Sequence, residues 1–193
     1  MTSPRRVIAV LLVLLLAPAA QAQTRDELLR ALAAPGGVGL MRHARAPGVG
    51  DPPGMRLDDC ATQRNLSEQG RDQARRIGAA LRAVGLHAAE LRSSTWCRAR
   101  ETAELLGLGP VEILPALDSF FAGRGQEERQ TAELRAYLNA GRDKPTRVLV
   151  THQVNITALT GLVPAEGEMV VLRPGPDGYA PMGRLRLDRA GDP

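Results

Sequence analysis

The 193-residue chain contains three histidines, and two of them close apolar runs: His43 ends GVGLMRH and His152 ends RVLVTH. Imidazole titrates near neutrality, so a histidine held at such a position can act as nucleophile, proton carrier or metal ligand. Arg42 stands directly before His43. Arg98 falls in WCRARETAELLGL, which reads as a helix capped by Ser94 or Thr95. A cation in a first helical turn opposes the positive end of the helix dipole, so Arg98 is electrostatically out of place unless an anion binds beside it. Two histidines and two arginines therefore point to chemistry on an anion. His87, in the connection VGLHAAE, reads as an ordinary surface histidine.

The elements that must position these residues follow from periodicity and punctuation. Thr24 and Glu27 form a T-x-x-E capping box, Leu28, Leu29 and Leu32 give the next helix an apolar side, and Pro35-Gly36 ends it. Val38 to Met41 reads as a buried strand that delivers Arg42 and His43 at its C-terminal end. Residues 44–65 hold three prolines, three glycines and no sustained periodicity, so they read as a long loop of the kind that often carries function. Ser67 caps a helix to about Val84, with Ala74, Ile77, Leu81 and Val84 inward, Arg71, Arg75, Arg76 and Arg82 solvated, and Gly85 closing it. AAELRSS and VEIL read as strands flanking the Arg98 helix, LPALDSFFAGRGQ as an irregular connection, and EERQTAELRAYLNAG as a helix closed by Gly141. RVLV is a strand and QVNITALTGL a helix, and EMVVLRP and YAPMGRLRLD pair through a GPDG turn. Alternating strands and helices predict an α/β domain, a three-layer α/β/α sandwich with helices on both faces of a mainly parallel sheet. Ligands of such sheets bind outside the carboxyl ends of the strands, where His43 and His152 stand, so the two are expected in one site.

Composition narrows the function classes. Apolar residues make up 44%, enough for one domain with a sizeable core. Lys plus Arg exceed Asp plus Glu only as 25 against 21, with two Phe, two Tyr and one Trp, which excludes a basic, base-stacking nucleic-acid surface. The opening MTSPRRVIAVLLVLLLAPAAQAQ has a basic start, an apolar run and Ala20-Gln21-Ala22, a secretory signal with cleavage after Ala22. The mature domain would then be 23–193, periplasmic or secreted, with no membrane span and a formal charge of +2 once Arg5 and Arg6 are gone. In an oxidising compartment Cys60 and Cys97 can bridge, closing a 37-residue loop; a reactive thiol beside Arg98 and two unpaired buried cysteines are the alternatives.

The ordered set MRHA, LSEQGRDQARRIGAAL, SSTWCRARETAELL and VTHQVNITAL, spanning roughly residues 37–174, resembles the histidine phosphatase superfamily, which has the phosphoglycerate-mutase-like fold. The resemblance implies that His43 attacks phosphorus and is transiently phosphorylated, and that His152 binds and orients the phosphate with Arg42 and Arg98. The physics agrees, because a phosphoryl group in transfer needs cations and dipoles aimed at its oxygens, and nearby arginines keep an imidazole neutral. A leaving alkoxide needs a proton. Many members carry the acid before the third large helix, which here makes Asp118 in ILPALDSFFAGRG the candidate, with Glu101, Asp58 and Asp59 as rivals. No cofactor and no metal are implied.

Two departures from the family pattern stand out. Ala44 replaces the usual glycine after the Arg-His pair, and the Asn that often follows is absent from ARAPGVGD, so Arg45 or the loop backbone would have to supply that contact. An exported, short chain favours net hydrolysis over mutase chemistry. The expected function is a metal-independent phosphomonoesterase acting on a small-molecule or glycan phosphoester, an envelope sugar phosphate such as a heptose phosphate being one candidate. A non-catalytic phosphate- or glycan-phosphate-binding module is the alternative, and a metal-dependent hydrolase using His43, His152 and an Asp is a third reading without a His-x-x-x-His pair to support it. The 44–65 loop is expected to shape specificity.

Overall fold

The computed structural model describes residues 23–188. The expected signal segment, residues 1–22, lies outside the described residues. Helix α1 (Arg25–Ala33) starts with the capping box read from the sequence: Glu27 donates its amide to Thr24 Oγ1 at 3.3 Å, and Thr24 donates its own amide to Glu27 Oε2 at 2.8 Å. Strand β1 (Val38–Arg42), helix α2 (Glu68–Ala83, capped by Ser67), strand β2 (Glu90–Ser93), helix α3 (Cys97–Leu106), strand β3 (Val111–Ile113) and helix α4 (Glu127–Asn139) follow. Strand β4 (Arg147–Thr151), helix α5 (Gln153–Thr160) and the hairpin β5 (Met169–Gly175) and β6 (Gly178–Leu185) complete the order.

The six strands form one sheet in the order β3-β2-β4-β1-β5-β6. β3, β2, β4 and β1 run parallel, and β5 and β6 are antiparallel additions beside β1. Alternation along the strands sorts two cores, because successive side chains in a strand point to opposite faces. Met41, Val148, Val150 and Leu91 pack with α1, α2 and α3; Val38, Leu40 and Leu149 pack with α4 and α5. The expected three layers are present, with helices on both faces.

Two local expectations need correcting. Trp96, not Ser94 or Thr95, is the N-cap residue of α3, and it makes no side-chain capping bond. The Ser94 hydroxyl is engaged with His152 and the Trp96 amide, and the Thr95 hydroxyl with Asp118, so neither is spent on the helix. At the end of α4 the capping residue Ala140 stays right-handed, and Gly141 serves space instead: a Cβ there would lie 2.3 Å from Nη1 of Arg147. No described helix is long and apolar enough to cross a membrane.

Candidate active site

The parallel strands deliver their C-terminal residues to one edge of the sheet. β1 and β4 pair in register from Val38–Arg147 to Arg42–Thr151, so His43 and His152, each one residue past its strand, arrive side by side. Their ring centroids are 5.5 Å apart, and Trp96 packs edge-on to His152 at 5.4 Å. Both histidines and Trp96 line a cavity of about 680 Å³ together with Arg42, Arg64 and Arg98. The lining also includes seven residues of the 48–55 loop, among them the 88% exposed Val49, and Ser119, Phe121 and Val154, with Gly50 lying against the Phe121 ring.

The hydrogen bonds define the chemical state of His43. Its Nδ1 lies 2.7 Å from the Ala44 carbonyl. A carbonyl only accepts, so Nδ1 carries the proton and Nε2 keeps the lone pair. Burial holds the His43 pKa down to about 3; the bond to Ala44 works against this, and the charges of Arg98, Arg42 and Arg64 reinforce it. The ring is therefore neutral at physiological pH, with its Nε2 lone pair free of a proton. His152 is likewise held well below its ordinary value, by burial first and then by His43 and the arginines, and its Nε2 lies 2.8 Å from Ser94 Oγ.

The cations are anchored individually. Arg42 donates through Nη1 to Gln153 Oε1 at 3.0 Å and to the Pro164 carbonyl at 3.1 Å. Arg98, 3% exposed, donates Nη1 and Nη2 to the two carboxylate oxygens of Asp51 at 2.7 and 3.1 Å. Arg64 donates to the carbonyls of Gly50 and Ala46. Nε of Arg42 and of Arg98 are buried without a partner among the described residues. A buried donor left unsatisfied is costly, and both residues line the cavity, where guanidinium groups can bind an anion through charge-assisted hydrogen bonds. The donor set fits phosphate.

The four carboxyl groups weighed as proton donor occupy different settings. Asp118 accepts from the Thr95 amide at 2.6 Å and from its hydroxyl at 3.0 Å. Burial raises its pKa, and those bonds with that of Ser94 partly offset the rise. Its neighbour Ser119, rather than Asp118, is among the residues lining the cavity. Glu101 is bound to Arg71 at 2.6 Å, Asp58 to Arg56 at 3.0 Å, and Asp59 accepts the Ala61 amide at the start of a short turn. Among the described residues no group of three or more His, Cys, Asp or Glu is placed to hold a metal ion.

Cys60 and Cys97 form a disulfide with their Cα atoms 5.7 Å apart, tying the long loop to the residue before Arg98. Ala44 is fully buried among Ala46, Leu66 and Ala74, its amide donating to Thr102 Oγ1 at 3.0 Å, and its φ is not positive, so the position asks for a small residue rather than for glycine. The contact expected of Arg45 is corrected: Arg45 is exposed and does not line the cavity, whereas Arg64 does. Asp51, Arg64, Ser94 and Trp96 are site residues that the sequence reading passed over. The TQRN segment before the Ser67 cap carried no periodic signal, and Asp51 sits among prolines and glycines.

Comparison with known proteins agrees with this geometry. The model of the histidine phosphatase superfamily, branch 1, matches residues 38–147, more than half of the chain, and the chain belongs to that family. Its fold is similar to that of the protein histidine phosphatase SixA complexed with tungstate (21% identity, TM-score 0.56, covering 78% of this chain and 96% of that one). It is similar also to a mycobacterial glucosyl-3-phosphoglycerate phosphatase with VO3 (19%, 0.56, 77% and 97%). A phosphoserine phosphatase mutant from Entamoeba histolytica with phosphoserine gives 11% identity and a TM-score of 0.58, with 79% and 98% covered. At these identities the likeness establishes the fold. No curated protein matches the chain.

Proposed function

We propose that the chain is an exported, metal-independent phosphomonoesterase that works through a phosphohistidine on His43. One observation carries the reading: a neutral imidazole with its Nε2 lone pair shares a cavity with two guanidinium groups, those of Arg42 and Arg98, whose buried Nε donors have no partner among the described residues. Nε2 attacks phosphorus, the P–O ester bond breaks, and the leaving oxygen takes a proton from Asp118. Water then attacks the phosphohistidine, returns a proton to the Asp118 carboxylate, and releases inorganic phosphate with His43 restored. Arg42, Arg98 and His152 hold the phosphoryl oxygens throughout, which is where charge stabilisation acts on this transition state.

Asp118 is favoured as donor because it stands next to the cavity-lining Ser119 in a half-buried setting that raises its pKa, while Glu101 and Asp58 are paired with arginines away from the cavity lining and Asp59 caps a turn. The Cys60–Cys97 bridge supports an oxidising compartment. Seven residues of the 48–55 stretch face the cavity, which supports the loop as the part that selects the organic portion of the substrate, an envelope sugar phosphate included.

The decisive experiment is hydrolysis of an activated aryl phosphate by the mature chain, with and without EDTA, beside His43→Ala. EDTA-resistant turnover that disappears in the variant is expected; phosphate binding without turnover would identify a binding module instead. For the donor, Asp118→Asn is expected to slow an alkyl phosphate far more than the aryl ester, whose leaving group needs no proton. Equal losses on both would remove Asp118 from the role.

A further inference from the structure

Asp51 belongs to neither pair of residues that the phosphatase reading uses, yet its carboxylate is the most heavily engaged in the cavity. Oδ1 accepts from Arg98 Nη1 at 2.7 Å and from the Arg64 amide at 3.2 Å. Oδ2 accepts from Arg98 Nη2 and from the indole Nε1 of Trp96, each at 3.1 Å. The side chain is 16% exposed. Burial alone would raise its pKa, but the hydrogen bonds and charge of Arg98, followed by those of Trp96 and the Arg64 amide, outweigh it and keep the group ionised.

The pairing is end-on. It occupies the two terminal nitrogens of Arg98 and leaves Nε, which is buried and without a partner among the described residues. Trp96, held through the same carboxylate, packs against His152. The loop that carries Asp51 is fastened around it: Arg64 binds the carbonyls of Ala46 and Gly50, Gln63 Oε1 accepts the Cys97 amide at 3.0 Å, and the disulfide joins Cys60 to Cys97.

We infer that Asp51 is a positioning residue, fixing the Arg98 guanidinium at the cavity wall for the substrate phosphate and setting Trp96 against the second histidine. A carboxylate in a phosphate site could instead be a stand-in anion that substrate displaces. The structure favours the first role, because displacement would strand the Trp96 indole and the Arg64 amide as well as a buried carboxylate. This inference rests on the phosphate-site reading of the cavity.

The test compares wild type, Asp51→Asn, Asp51→Glu, Arg98→Ala and the Asp51→Asn/Arg98→Ala double variant, with inorganic phosphate as the probe. Asn keeps the shape but turns an amide N–H toward the guanidinium, whereas Glu keeps the charge on a longer arm. Expected results are a loss of phosphate affinity of roughly 10-fold or more in Asp51→Asn, partial recovery in Asp51→Glu, and a double variant within about twofold of Arg98→Ala alone, as coupled residues require. Fluorescence of Trp96, the single tryptophan, should respond to phosphate in wild type and lose that response in Asp51→Asn. Phosphate bound as tightly or more tightly by Asp51→Asn, or losses that multiply independently in the double variant, would overturn the inference. Should Asp51→Asn fail to fold, Asp51→Glu decides by itself: phosphate affinity unchanged or raised by the displaced arm would overturn it. Phosphate binding is read without turnover, so a wild type that binds phosphate but hydrolyses nothing defeats the phosphatase reading and leaves the Asp51 result standing.

Discussion

Two buried arginines sit at opposite ends of the parallel sheet, and only one of them faces a cavity. Arg147 opens β4 and is fully buried, its guanidinium 5.6 and 5.5 Å from the ring centroids of Tyr137 and Tyr179. It donates to the Tyr179 hydroxyl at 2.8 Å and the Leu138 carbonyl at 3.3 Å, and among the described residues it has no carboxylate partner. Arg98, just as inaccessible, has the Asp51 carboxylate at its terminal nitrogens and a cavity beside it. Both leave Nε without a partner. Burial of a cation is thus no mark of a site by itself: Arg147 is held by rings and carbonyls at a closed sheet end, whereas Arg98 is held by a carboxylate at the wall of a cavity.

That contrast can be broken by substitution. Arg98→Ala is expected to lower kcat/KM for an aryl phosphate by about 10²–10³-fold, the usual cost of removing one oxyanion donor. Arg147→Ala should leave kcat and KM of the folded protein within about twofold while lowering stability by roughly 2–4 kcal/mol, measured by denaturant unfolding. A raised KM in the folded Arg147 variant would erase the distinction. Reducing the Cys60–Cys97 bridge should cost about 4 kcal/mol in the chain-entropy model for its 37-residue separation, and should raise KM because the loop holding Arg98 is released.

Acid provides a subtler probe. His43 has a folded pKa of about 3 against an unfolded value near 6.5, so the folded state binds its proton less tightly; stability is intact above 6.5 and falls as pH drops toward 3. One such group contributes a slope of up to about 1.4 kcal/mol per pH unit, and His152, shifted in the same direction, adds to it. His43→Asn should therefore flatten the acid limb of the stability curve by roughly half, and an unchanged slope would mean that His43 titrates normally. Asp51, whose pKa is likewise depressed on folding, loses its contribution in the same direction but only below about pH 4. The smallest effect belongs to Ala44→Gly, expected to cost about 1 kcal/mol for a lost buried methyl and added chain freedom, with activity within about twofold because the amide bond to Thr102 persists.

Much of the scaffold was legible because it rests on local rules. The capping box at Thr24, the Ser67 cap and the short apolar runs each signal their element within a few residues, and alternation of strand and helix defines the layers. His43 and His152 stood out as rare residues at strand ends, and Arg98 as a cation on the wrong end of a helix dipole. Asp51 and Arg64 did not, for a physical reason. Their roles depend on the closure of an aperiodic loop onto a helix start 47 residues beyond Asp51, and an arginine in a chain with two dozen of them carries no local mark. The Trp96 cap was missed because Ser94 and Thr95, both better capping residues, are held by His152 and Asp118 from distant segments.

The parallel register that gathers the chemistry at one edge also leaves the other edge free of it. The β5–β6 turn, with Pro176 and Asp177 exposed, lies beyond the β1 partner Leu172 at the Val38 end of the sheet, away from the strand ends that carry His43 and His152. A peptide tag or surface anchor inserted between Pro176 and Asp177 would tether the protein with its cavity facing outward, giving an oriented, immobilised form whose binding side stays open to solution.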